Sequence, residues 1–190
     1  MDKKDFILAS ASPQRIALLQ QINMLPKEIC PADIDESCYQ FETPSHYVKR
    51  MALSKAIRVA TQYPNENILA CDTVVVVGRQ ILHKAKNDEE QMRVMRLVSG
   101  RANHVLSAVC LIERNGRKVV KLVDSRVLTK KLSEKEIRDY VATQEWVGCS
   151  GYKIEGCFAG FVRKIIGSYT GIVGLPLCET QNLLNGAGIR

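Results

Sequence analysis

The 190-residue chain contains no G-x-x-x-x-G-K-S/T loop and no G-x-G-x-x-G turn, so neither a P-loop nor a dinucleotide fingerprint is there to hold phosphates. Its three histidines, His46, His83 and His104, stand alone, without metal spacing or a Ser/His/Asp order. That counts against zinc-hydrolase and triad chemistry. Seven cysteines, at positions 30, 38, 71, 110, 149, 157 and 178, never fall into a C-x-x-C spacing. The odd number reads as reduced, buried thiols, not as a disulfide frame or a zinc site. Aromatic residues make up only 6% and are not interleaved with basic ones, so no nucleic-acid partner is expected. No apolar run approaches a membrane span, and the apolar stretch in MDKKDFILASAS is too short for a signal-peptide core. The expectation is a cytoplasmic protein with no membrane contact.

What is present is an ordinary globular composition, 46% hydrophobic and 25% charged, long enough for one well-buried core. Without a linker, repeat or low-complexity tract, residues 1–190 read as one domain. The formal net charge of +7 suits an anionic partner such as a nucleotide. The stretch around which the rest is organised is ILACDTVVVV, Ile68 to Val77. Its β-branched run predicts a strand buried on both faces, interrupted by Asp72 and Thr73. A carboxylate there loses its hydration and calls for a cation or metal beside it.

Upstream, Phe6 to Ala9 reads as a strand leading through Ser10-Ala11-Ser12 into a helix, with Ser12 as N-cap and Pro13 at the first helical position. Free N–H groups at such a turn point at an anion. Arg15 sits in the first helical turn, where the macrodipole disfavours a cation unless a bound anion reverses that preference. The segment CPADIDESC, with Asp33, Asp35 and Glu36, is an acidic loop able to supply oxygen ligands. A second helix from Thr43-Pro44-Ser45 to about Gln62 carries Val48, Ala52, Ala56 and Val59 on one stripe, and Lys55 lies on that stripe.

After Val77 the spacing predicts a hairpin with a three-residue loop, Gly78-Arg79-Gln80, pairing Val77 with Ile81. That register places Lys84 opposite Val74, on the face of Asp72; a one-residue slip would reverse the face. Asn87 with Glu90, and Ser133 with Glu136, read as capping boxes of two helices. Between them, His104–Glu113 and Lys118–Leu128 flank the turn Arg114-Asn115-Gly116-Arg117. FVRKII follows as a strand, and Pro176 opens a closing helix toward Leu184.

Taken in order, ILASASPQR, ADIDES, the Ala52/Lys55/Ala56 pattern, CDTVVVV-GRQIL-HK, LVSGRANHV, GYKIEG and GSYTGIVGLPL resemble the Maf family of nucleoside triphosphate pyrophosphatases. The resemblance covers nearly the whole chain. It implies a mixed α/β fold of the inosine-triphosphatase-like type: a central mixed, twisted sheet flanked by helices, with two lobes around a cleft. It implies hydrolysis of a nucleoside triphosphate to the monophosphate and pyrophosphate with a divalent cation, Mg²⁺ or Mn²⁺, and a homodimeric assembly. By motif position, Asp72 matches the catalytic acid, a proton acceptor or metal ligand. Ser10, Arg15, Lys55 and Lys84 match phosphate-binding positions, and Glu36 helps hold the metal. Gln14, Thr73 and Glu155 match positions that tune base choice. The sequence departs from the family pattern at Gln14, where a second arginine is usual, at His83-Lys84-Ala85, around Gly148-Cys149-Ser150, where a lysine is missing, and at Glu155, where Gln is usual. Gln14 and Glu155 lean toward a subgroup preferring 7-methyl-GTP, the rest of the late region toward the dTTP/UTP subgroup. A nucleotide- or nucleic-acid-binding regulator with little catalysis is the alternative that the lost cations suggest.

Overall fold

A computed structural model describes residues 3–190. In chain order its elements are β1 (Lys4–Leu8), α1 (Pro13–Gln21), β2 (Pro26–Ile29), α2 (Pro44–Ala60), β3 (Ile68–Val77), β4 (Gln80–Leu82), α3 (Asp88–Val98), β5 (Ala102–Ile112), β6 (Lys118–Thr129), α4 (Glu134–Ala142), β7 (Val162–Ile166), α5 (Tyr169–Val173) and α6 (Leu177–Gly186). A 3-10 turn at Cys157–Phe161 precedes β7. The strands form one mixed sheet in the order β2-β1-β3-β5-β6-β7, with β4 paired to β3. The expected mixed sheet flanked by helices is what the chain forms.

The period-two alternation of β3 assigns its faces. Ile68, Ala70, Val74 and Val76 pack under the apolar stripe of α2, formed by Val48, Met51, Ala52, Ala56 and Val59. On the opposite face Leu69 and Cys71 join a cluster with Leu18, Leu19 and Leu184 from α1 and α6. Further along that face Val75 belongs to a different cluster, with Met95, Tyr140, Trp146, Tyr152 and Phe158. Thr73 lies between the two clusters, and its rung partner across the ladder is Ser107, with the hydroxyl oxygens 2.9 Å apart. The opposite face of the sheet therefore changes its cover at one polar rung.

The edge of β3 changes partners at the same place. β1 pairs only with Ile68 and Leu69, and β4 only with Val75 to Val77. From Ala70 to Val74, β3 has β5 on one side and no strand on the other. A sheet whose edge passes from one partner to another leaves a crevice there, the general setting for ligand sites in α/β proteins.

Three expectations need correction. The β3–β4 loop has two residues, not three: Val77 pairs with Gln80 and Val76 with Ile81. Gly78, at φ +62°, takes the first central position, where a two-residue II′ hairpin needs a positive φ. Glu90 does not complete a capping box, because its Oε2 accepts from the Lys86 N–H instead of Asn87; only the Asn87 half forms. All seven cysteines are free, but Cys38, Cys157 and Cys178 are exposed and only Cys71 and Cys110 are buried. The sequence pattern also left β2, α5 and the 3-10 turn unassigned.

Candidate active site

A cleft of about 380 Å³ opens at the uncovered edge of β3. Asp72, on the α2 face of the strand, is 8% exposed. Lys55 projects from α2 to meet it, Nζ donating to Asp72 Oδ1 at 2.6 Å, and the same ammonium lies 2.8 Å from Glu36 Oε1. Lys55 is thus inward-facing because two carboxylates receive it, not because its stem snorkels out. Asp72 Oδ2 accepts no hydrogen bond among the described residues.

Glu36 lies on an irregular loop, yet its backbone is fixed by α2. Tyr47 Oη donates to the Glu36 carbonyl at 2.9 Å and Arg50 Nη2 to the Ser37 carbonyl at 2.9 Å. Arg50 also pairs with Glu42 and lies 3.8 Å over the Tyr39 ring. Tyr47, Arg50 and Lys55 all belong to α2, so one helix sets both the loop and the central cation.

The two carboxylates respond differently to this setting. Burial holds Asp72 above its ordinary carboxyl range, although Lys55 and Arg15 pull the other way. Burial also pushes Glu36 upward, but Lys55, Lys84 and Arg15 together outweigh it and leave Glu36 below its ordinary range. Environments that separate two acids in this way are a common mark of acid–base sites.

From α1, Arg15 reaches into the cleft with Nε donating to the Gly174 carbonyl at 3.0 Å and Nη1 to Ser10 Oγ at 2.8 Å. Gly174 is the C-cap of α5. Its carbonyl receives the cation that the start of α1 disfavours, so Arg15 is held in place before any anion arrives. The Thr73 hydroxyl lies 3.3 Å from that carbonyl too, and the buried Cys71 thiol 3.2 Å away. Burial pushes the Cys71 thiol up, which leaves it a protonated packing group.

Of the nine residues singled out from the sequence, eight line this cleft: Gln14, Arg15, Glu36, Lys55, Asp72, Thr73, Lys84 and Glu155. Ser10 does not; it is buried behind Arg15, as acceptor for that guanidinium and for the Ser12 N–H. Lys84 reaches the cleft by another route than the hairpin register suggested. β4 ends at Leu82, and Lys84 forms an isolated antiparallel bridge with Ser150.

That bridge anchors a wall the sequence pattern did not foresee, residues 148–155. Ser150 Oγ donates to the Leu82 carbonyl, Gln91 Nε2 to the Gly151 carbonyl, and the Lys153 N–H to Tyr140 Oη. Gly151, at φ +81°, lies so close to β3 that a Cβ there would come within 3.0 Å of Val75 Cγ2. Lys153 from this wall lines the cleft as a fourth cation beside Arg15, Lys55 and Lys84. Only its polar character amid Gly151, Tyr152 and Ile154 signalled it.

The family model described as Maf-like protein matches residues 5–187. The chain belongs to the Maf family. It is 46% identical to the dTTP/UTP pyrophosphatase of Caulobacter vibrioides, over 97% of this chain and 96% of that protein. It is equally 46% identical to the dTTP/UTP pyrophosphatase of Zymomonas mobilis, over 96% and 91%. Among solved structures the Maf chain is similar to the Staphylococcus aureus Ham1 protein, with a TM-score of 0.47, 15% identity, and 67% and 72% of the two chains covered. No helix among the described residues of this Maf protein is long and apolar enough to cross a membrane.

The donor set of the Maf cleft also fits a hard divalent cation. Two carboxylates from different elements already converge on one positive charge. Among the described residues no cluster of three or more ligating side chains exists, so such an ion would take two protein oxygens and draw the rest from phosphate and water. That is the usual manner of Mg²⁺ at phosphate-transfer sites.

Proposed function

We propose that this Maf protein hydrolyses nucleoside triphosphates, dTTP and UTP foremost, to the monophosphate and pyrophosphate. The observation that carries the reading is the Asp72–Lys55–Glu36 arrangement on the edge of a cleft that also holds Arg15, Lys84 and Lys153. Relatives at 46% identity that bear the name dTTP/UTP pyrophosphatase support the choice of substrate.

In this reading Asp72 accepts the proton of the attacking water through Oδ2, its basicity maintained by burial. The water oxygen bonds to the α-phosphorus as the bond to the α,β-bridging oxygen breaks, and the electron pair leaves with the diphosphate. Arg15, Lys55 and Lys84 bind the phosphates and stabilise the charge that gathers on the departing group. Ser10 acts through Arg15 by fixing the guanidinium, not by touching the substrate. A divalent cation, Mg²⁺ or Mn²⁺, held by Glu36 and Asp72 would neutralise phosphate charge. Gln14, Thr73 and Glu155 line the same cleft, and in this reading they are the residues that meet the base.

A panel of nucleotides with each metal, read by separating diphosphate from orthophosphate, tests the reading. Diphosphate with monophosphate is expected, fastest from dTTP and UTP, and lost on chelation of the metal. Release of orthophosphate with nucleoside diphosphate would overturn it.

A further inference from the structure

Lys153 has no assigned role, and its surroundings define one. Tyr152 and Ile154 are 6% and 3% exposed and anchor their segment in the core. Tyr152 stacks on Phe158 with ring centroids 3.8 Å apart and donates from Oη to Asn103 Oδ1 at 2.6 Å. The intervening residues, Lys153 and Glu155, are therefore turned outward together. Both line the cleft, on a turn closed by the Gly156 N–H and the Lys153 carbonyl. Among the described residues neither side chain forms an ion pair, with the other or with any third group. Lys55, by contrast, already meets two carboxylates.

A cation and a carboxylate side by side are a poor phosphate site, since whatever Lys153 attracts Glu155 repels. They suit a neutral group with a donor next to an acceptor. We infer that Lys153 and Glu155 form a two-point reader for a lactam edge, the ring N–H beside a carbonyl that thymine, uracil and guanine share. The Glu155 carboxylate accepts from the ring N–H, and the Lys153 ammonium donates to the adjacent carbonyl oxygen. Cytosine and adenine present the reverse edge, a bare ring nitrogen beside an amino group, so both contacts become mismatches. A glutamine at position 155 would offer donor and acceptor from one amide; here Glu155 keeps the acceptor and Lys153 provides the donor. The inference rests on the pyrophosphatase reading for its substrate, and it adds Lys153 as the donor that reads the base beside Glu155.

The test compares kcat/KM for dTTP, dGTP, dCTP and dATP in wild type, Lys153→Ala, Lys153→Arg and Glu155→Ala. Wild type should favour the lactam bases by about 100-fold, below the roughly 10⁴-fold of an enclosed hydrogen-bonding site because Glu155 is open to solvent. Lys153→Ala should lower that ratio about tenfold by raising KM for dTTP and dGTP alone, and Lys153→Arg should restore most of it. An equal loss with all four nucleotides would make Lys153 a phosphate contact and overturn the inference, as would an unchanged ratio. Calorimetric binding of dTMP against dCMP gives the same comparison without turnover. Failure of every nucleotide to release diphosphate would remove the pyrophosphatase reading and leave the monophosphates to judge the pair; turnover without discrimination between bases would do the opposite.

Discussion

Along one wall of the cleft, Asp72 and Lys55 leave a ten-residue strand and a seventeen-residue helix. Along the other, Lys153 and Glu155 leave a segment without helix or strand, held by side chains of α3 and α4 and by its own Ser150 hydroxyl on a β4 carbonyl. The first wall buries its charges and balances each against another. The second leaves Glu155 exposed and Lys153 half-buried, both without an ion pair among the described residues. A buried, balanced charge is expensive to move and cheap to hold ready, which suits chemistry common to all substrates. An exposed, unpaired one gains its partner only from the ligand, which suits discrimination.

The largest effect that would break this contrast comes from Asp72→Asn. Turnover should fall by about 1,000-fold or more while nucleotide binding survives, on the scale of removing a general base and part of a metal site together. Stability should move the other way. A carboxyl held above its ordinary value in the fold weakens the fold as pH rises from about 3.9 through that raised value, and the neutral amide removes this loss. Lys55 keeps Glu36 as partner, so no buried cation is orphaned. A Tm gain of about 2–4 °C at pH 7, or roughly 1 kcal/mol, is expected by calorimetry. A variant with full activity would take Asp72 out of the mechanism.

Lys84→Ala comes next and tests the boundary between the walls, because Lys84 is bridged through its backbone to Ser150. KM should rise by about tenfold for every triphosphate, near the 1.4 kcal/mol expected of one charge-assisted contact, with the order of preference among bases unchanged. A shift in that order would move Lys84 to the recognition wall.

The smallest effect sharpens the support behind the second wall. Tyr140, which holds the Lys153 N–H, sits on α4, and α4 begins with the Ser133/Glu136 capping box. Its bonds to Lys130 and to Ser133 hold the Glu136 carboxyl down at about 2. A depressed acid stabilises the fold above its unfolded value of about 4.3 and loses that contribution as pH falls toward about 2. Wild type and Glu136→Gln should therefore differ slightly in urea midpoint at pH 7 and converge near pH 2, with activity at pH 7 unchanged in the variant.

The same contrast decides what could be read in advance. β3 was legible to the residue because an apolar run of that length can only be a covered strand, and one acid inside it had to have a partner. Lys55 was legible because a helix stripe has a fixed period. The hairpin register failed by one residue, since Gly78 permits a tighter loop than the apolar pattern alone suggests. Ser10 reads from the sequence as a phosphate contact; what the pattern could not show is that its hydroxyl accepts from Arg15, whose guanidinium is held by Gly174 more than 150 positions away. Segment 148–155 has no periodicity to read; its course is dictated by hydrogen bonds from distant elements, and with it went the place of Lys153. Gly174 was hidden for the same reason, as a carbonyl is the same on every residue.

The ladder between β3 and β5 runs unbroken from Ile68 to Val76, past the point where the other edge goes from β1 to β4. It works as a strut common to both halves of the molecule. With that strut in place, and β6 paired to β5 along its length, the halves are joined by continuous sheet, and the way left for the mouth to widen is torsion of a three-stranded ribbon. Asp72 and the rungs beside it are thus mounted on continuous sheet, so the floor of the cleft is set before any nucleotide settles on it.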